Sequence, residues 1–291
     1  PGGIKMREIV KKEALRPAAS LRFLYCNKLG LPLLKLLTCR AVSKAAGRFL
    51  DSRLSRGLIK GYVRRHAIDM SQYEREEYKS FNAFFTRRIR PELRPFDRSP
   101  EAFVSPCDGK LSVYPVDGDS AFEIKGFRYT VETLLRDAAL AKKYEGGLCF
   151  VLRLSVEDYH RYFYIDGGSK GENVFIKGKL HTVQPVALEK RRVFTENCRE
   201  YTVMHTDNFG DVTQVEVGAM LVGRIVNDHG AGPCNRGEEK GRFEFGGSTI
   251  VLLTERGKVK LDEELLANTR AGDETKVKCG ERLGVREVTD R

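Results

Sequence analysis

The sequence lacks a hydrophobic run long enough to cross a bilayer. Its most apolar N-terminal stretch, residues 29–37, is broken by Pro32 and Lys35 and falls far short of the roughly 20 apolar residues a spanning helix needs. No transmembrane helix is therefore expected. Paired cysteines are missing too: the seven, at positions 26, 39, 107, 149, 198, 234 and 279, are odd in number, scattered, and form no Cys-x-x-Cys pair. That argues against a disulfide framework and a zinc finger, and suits a reducing, cytosol-facing location. The five histidines (66, 160, 181, 205 and 229) show no metal-ligand spacing, so no metal is expected. There is no repeat, low-complexity segment or nucleic-acid motif, and the polar opening shows no signal-peptide pattern.

What is present is a folded composition, 41% hydrophobic and 31% charged, on a chain long enough for a substantial core. The net charge of +11 is lopsided: residues 1–100 hold 23 lysines and arginines against 9 acidic residues, whereas the remainder is slightly acidic. Such asymmetry points to an anionic partner, nucleic acid or a membrane surface. In residues 18–66, Leu21, Leu24, Tyr25, Leu33, Leu34, Leu37, Val42 and Phe49 recur near helical spacing, with Arg22, Lys28, Lys35, Lys44 and Arg48 between them. This pattern fits a helix lying in a membrane interface and equally a solvated helical subdomain. From residue 102 the pattern turns to short β-type runs at 111–114, 149–154, 162–165, 212–217, 220–226 and 249–253, with one helix at 131–143. The expected class is α+β: a basic helical region (1–100) on a β-rich antiparallel sheet or sandwich body (101–291).

Six motifs carry chemistry. Gly246-Gly247-Ser248-Thr249 enters an apolar strand. Glycine leaves the Gly247 carbonyl open to close approach, so the Ser248 hydroxyl could attack it, shift the acyl group from N to O, and leave a pyruvoyl group after elimination. Asp158-Tyr159-His160-Arg161 offers a base, and Ser105-Pro106-Cys107-Asp108-Gly109 an aspartate that could orient it, as in Asp-His-Ser relays. A second candidate base is His181, in Leu180-His181-Thr182-Val183. Phe81-Asn82-Ala83-Phe84-Phe85-Thr86-Arg87-Arg88 reads as aromatics packed in the core with arginines in water, or alternatively as an anion site. Glu216-Val217-Gly218-Ala219 continues into a buried strand with close-approach glycines.

Taken in chain order, the motifs at 81–87, 105–109, 158–161, 218–225 and 247–249 resemble the phosphatidylserine decarboxylase proenzymes, from about residue 20 to 265. The resemblance implies self-cleavage between Gly247 and Ser248 into a β chain (1–247) and an α chain (248–291) that stay together as a heterodimer. A pyruvoyl group derived from Ser248 would be the cofactor, with no metal and no PLP. Asp108 would orient His160, and His160 would take the Ser248 proton. The substrate would be phosphatidylserine, met peripherally on the cytoplasmic face of an anionic membrane, and nucleic acid would have no part. Two departures matter: Gly246 stands where many members have leucine, and Phe163 where many have a second histidine. The latter leaves His160 alone or makes His181 share its work. The alternatives are a pyruvoyl decarboxylase of a soluble amino acid and an inactive lipid-binding relative.

Overall fold

The computed structural model describes residues 7–11, 19–124, 126–219, 224–245 and 248–287. The N-terminal third carries strand β1 (Ile9–Val10) and helices α1 (Ala19–Cys26), α2 (Gly30–Leu37), α3 (Arg40–Asp51), α4 (Leu58–Arg65) and α5 (Phe81–Phe85). Next come β2 (Ala102–Val104), β3 (Gly109–Pro115), β4 (Ala121–Ile124), β5 (Phe127–Thr130), α6 (Val131–Leu135) and α7 (Ala138–Lys142). They lead to β6 (Leu148–Leu154), β7 (Arg161–Phe163), β8 (Gly168–Lys170), β9 (Val174–Ile176), α8 (Pro185–Leu188) and α9 (Val193–Glu196). Then follow β10 (Arg199–Thr206), β11 (Gly210–Val217), β12 (Ile225–Asn227), β13 (Gly232–Cys234) and β14 (Glu239–Phe243). The chain closes with β15 (Ser248–Thr254), β16 (Val259–Leu261), α10 (Glu263–Arg270), β17 (Glu274–Val277) and β18 (Arg282–Arg286). The class is α+β, as the sequence predicts.

The main sheet is antiparallel, in the order β1-β17-β3-β6-β15-β11-β10-β8-β13, with β9 also on β10. Its centre is β15, seven residues buried throughout, which is why Ile250 to Leu253 read as a continuous apolar run rather than an alternation. Ser248 opens this strand level with Leu154 of β6, and on the other side Thr249 faces Val217 of β11. Continuing that register by one residue brings Gly218 level with Ser248. In a smaller sheet, β12-β14-β7, strand β7 directly follows His160, the residue that meets Ser248.

The helices share these cores. Leu24, Tyr25 and Leu34 of α1 and α2 belong to the same buried cluster as Phe150, Leu152 and Ile250. A second cluster joins Leu50, Phe81, Phe84 and Phe85 to Ile89 and Tyr159. The turn between α1 and α2 needs Gly30, because a Cβ there would sit 2.2 Å from the Phe23 carbonyl oxygen. The single helix predicted at 131–143 is broken into α6 and α7, where Arg136 takes a left-handed φ of 54° and Asp137 caps the second piece through the Leu140 N–H. Helix α10 is absent from the sequence reading: eight residues with one buried leucine show too little periodicity to register. Of the strand expected at 220–226, Ile225 and Val226 lie in β12, Arg224 precedes it, and residues 220–223 fall outside those described.

Candidate active site

Ser248 is fully buried at the start of β15, with its Oγ 3.2 Å from Nδ1 of His160, also fully buried. The other imidazole nitrogen, Nε2, lies 3.0 Å from the Ser155 carbonyl oxygen. A carbonyl only accepts, so Nε2 carries the proton and Nδ1 presents its lone pair to the serine hydroxyl. Burial above all, then the nearby charge of Arg87, lowers the pKa of His160 to about 3. The ring is therefore neutral at physiological pH, in the tautomer that can take the Ser248 proton.

Local sequence explains the placement. Beyond β6 the chain turns at Ser155-Val156-Glu157-Asp158: the Ser155 N–H donates to Asp158 Oδ2 (2.7 Å), and the Asp158 N–H donates back to the Ser155 carbonyl (3.0 Å). Lys110 of β3 fastens the turn through Ser155 Oγ (2.8 Å) and Asp158 (3.1 Å). The carbonyl that orients His160 is thus held by a residue of the same motif. The Phe243 N–H donates to the His160 carbonyl (2.9 Å), tying the base to β14, the strand that leads towards residue 247.

Helix α5, capped by Ser80, closes the other side. Phe85 stacks on His160 with ring centroids 4.2 Å apart. Asn82 accepts the Phe245 N–H at Oδ1 (3.0 Å) and donates from Nδ2 to Asp51 (2.8 Å). The aromatic motif is therefore a packing element that steadies both the base and the chain just before the expected cleavage point. Its arginines are not all in water as predicted. Arg87 is buried, 4.2 Å over the Tyr73 ring, and donates to Tyr73 Oη at 3.0 Å. The aromatic faces and backbone carbonyls of the second core replace its hydration.

The expected contact of Asp108 with His160 is not made. Both imidazole nitrogens are taken, and the Asp108 carboxylate is engaged elsewhere: by Arg94 through both oxygens (2.7 and 2.5 Å) and by the Cys279 N–H (2.9 Å). The fork of a guanidinium fits a carboxylate better than a single imidazole N–H does, and no histidine follows at 163. Phe163 packs on Phe96 and Tyr159 at centroid distances of 5.7 and 6.3 Å. His181 is buried apart from His160, bonded at Nδ1 to Tyr25 Oη (3.3 Å). Gly246 and Gly247 lie outside the described residues.

Sequence reasoning gave no part to Ser155 or Lys110, and read Arg94 only as one of the basic cluster that follows Phe85. Only the first had a local signal, a serine three residues before an aspartate in a turn between strands. No cluster of metal-ligating side chains occurs among the described residues, and no helix among them is long and apolar enough to cross a membrane.

A buried serine opening a central strand, with a neutral imidazole on its hydroxyl, is an arrangement able to activate that serine. Residues 81–285 match the family described as phosphatidylserine decarboxylase. Similar chains include "Phosphatidylserine decarboxylase proenzyme 2" of Clostridium acetobutylicum, 46% identical with 91% of each chain covered. The proenzymes of Ruminiclostridium cellulolyticum, at 44% (91% of this chain, 90% of the relative), and Clostridium kluyveri, at 39% (91% and 92%), are also similar. The chain belongs to the phosphatidylserine decarboxylase family.

Proposed function

We propose that this protein decarboxylates phosphatidylserine to phosphatidylethanolamine, using a pyruvoyl group that it makes by cutting its own chain between Gly247 and Ser248. The observation that carries the self-processing is the lone pair of His160 Nδ1 set 3.2 Å from Ser248 Oγ. His160 Nδ1 takes the hydroxyl proton while its Nε2–H stays on the Ser155 carbonyl. Oγ then attacks the Gly247 carbonyl carbon. The C–N bond breaks, the proton passes to the departing Ser248 nitrogen, and an ester joins the two halves. Loss of the Ser248 Cα proton expels the Gly247 carboxylate. Tautomerisation to an imine and addition of water release ammonia and leave the pyruvoyl group on the α chain, residues 248–291. Because protonated His160 is disfavoured in its dry pocket, the proton is held only briefly before it reaches the leaving nitrogen.

The residues present fit such a group: its precursor, Ser248, is buried in the central strand with a neutral base on its hydroxyl. A pyruvoyl group supplies an electron sink for the pair left when CO2 departs. The chain's own part is to hold His160 on its backbone support and keep water from the reacting atoms, which Phe85 helps to do by covering the imidazole face. In this reading residues 101–291 form the catalytic domain and residues 1–100 associate with the membrane, peripherally and on its cytoplasmic face. Supporting that role, eight of the eleven strongly exposed large apolar side chains among the described residues lie between Phe23 and Leu58, with Leu29 79% and Leu54 84% exposed. Exposed Arg22, Lys28, Lys35, Arg53 and Arg56 are interspersed with them.

Intact mass spectrometry of the denatured protein, beside Ser248→Ala and His160→Gln, tests the processing step. The expected result is two chains split before residue 248, with a pyruvoyl mass on the smaller, and single chains from both variants. Full-length unmodified protein from the native sequence, or efficient cleavage of His160→Gln, refutes it. Release of CO2 from phosphatidylserine but not from free serine tests the substrate.

A further inference from the structure

His181 has one hydrogen bond too few. The Tyr25 hydroxyl oxygen accepts the Thr182 N–H (3.1 Å), so its own proton is free to go to His181 Nδ1, 3.3 Å away. A neutral imidazole that accepts at Nδ1 carries its proton on Nε2. That Nε2–H is buried and has no hydrogen-bond partner. Glu196 Oε2 lies 3.5 Å away without forming one. An unsatisfied donor in such a place normally has an acceptor still to come.

The backbone of His181 is tied to the residue that follows β11, beside Ser248. The fully buried Asn197 accepts the His181 N–H (2.9 Å) and donates from Nδ2 to the carbonyls of His181 (2.8 Å) and Gly218 (2.7 Å). Gly218 is the residue level with Ser248 on the β11 side, where a β-carbon would already touch Leu180 at 3.4 Å. His160 is thus tied to the β6 side of Ser248 through Ser155, and the backbone of His181 is tied to the β11 side through Asn197 and Gly218. The charges acting on His181 are Glu196, the strongest, and Lys179 and Arg191.

We infer that the His181 Nε2–H binds an anionic oxygen of the substrate headgroup, with Tyr25 as the positioning residue that fixes the tautomer. This rests on the decarboxylase reading above. Two headgroup oxygens have the right chemistry, those of the phosphodiester and those of the α-carboxylate.

The test uses processed full-length enzyme and short-chain lipids below their aggregation concentration, comparing His181→Leu, His181→Gln and Tyr25→Phe. Self-cleavage, read by intact mass, reports folding and depends on His160, so it is expected to stay complete in all three. For His181→Leu, KM for short-chain phosphatidylserine should rise about tenfold or more, with a smaller change in kcat, as for a lost hydrogen bond to a charged group. His181→Gln, whose amide can donate from nearly the same place, should recover most of the loss, and Tyr25→Phe should fall between. Calorimetric binding of short-chain phosphatidylethanolamine, which keeps the phosphodiester and lacks the carboxylate, separates the two oxygens. Equal weakening in His181→Leu assigns the phosphodiester, and unchanged product binding beside a raised KM assigns the carboxylate. KM and product binding both within twofold of the native enzyme in His181→Leu overturn the inference. Loss of self-cleavage in His181→Gln overturns it in a different way, by moving His181 into the processing step and removing His160 as its sole base.

Discussion

Replacing Asp108 by asparagine separates two accounts of how His160 is held. In an Asp-His-Ser relay, neutralising the aspartate leaves the geometry intact but costs about 10⁴ in rate, because the imidazole loses its correct tautomer. Here the tautomer is set by the Ser155 carbonyl at 3.0 Å, and the Asp108 charge is spent on Arg94. Asp108→Asn should therefore leave self-cleavage within about tenfold of the native rate while lowering stability. Breaking a buried ion pair costs about 3–5 kcal/mol. This pair retains some contact with solvent, with side chains 9% and 11% exposed, and asparagine still accepts the Cys279 N–H, so about 2–3 kcal/mol is the better figure. At roughly 2–4 °C per kcal/mol for a chain of this size, melting should fall by about 5–10 °C. The assay pairs a time course of chain cleavage in cell-free synthesis with calorimetric melting of Ser248→Ala and Ser248→Ala/Asp108→Asn. A variant that melts like its parent yet fails to cleave would refute the argument and return Asp108 to a relay.

Further outcomes concern acid and membranes. His160 is held near pKa 3 when folded against an ordinary value of 6.5, so the unfolded chain binds a proton that the folded one refuses. Its contribution to stability is complete above about pH 6.5 and is lost as pH falls towards 3, at up to about 1.4 kcal/mol per pH unit. Denaturant titrations of Ser248→Ala against Ser248→Ala/His160→Gln should diverge by that slope in this window, and parallel curves would contradict the buried neutral imidazole. On anionic vesicles, Leu29→Glu and Leu54→Glu should each weaken binding about tenfold or more, since each removes an exposed leucine from the basic face and adds a negative charge. Binding of the native chain should fall as salt rises, and salt-independent binding would sink the electrostatic part of the membrane proposal.

The cleavage motif, the apolar run of β15 and the aromatic cluster of α5 were legible because each is local. A glycine before serine, a continuous buried strand and a phenylalanine-rich turn announce themselves within eight residues. The charge asymmetry was equally visible, since it needs only counting. The sequence also pointed to His160 as the candidate base, but it could not say what would hold the imidazole. That was decided by competition in three dimensions: Asp108, 52 residues away in sequence from His160, meets the better-matched guanidinium of Arg94 first, and a backbone carbonyl five residues from the histidine takes the vacant role. Likewise the register β6-β15-β11 puts Leu154, the neighbour of Ser155, and Gly218 on either side of Ser248, and the network around Asn197 ties the His181 backbone to the second of them. Local chemistry singled out Ser248 and His160 as candidates. Strand order and the pairing of distant charges, which no window of sequence contains, selected their partners.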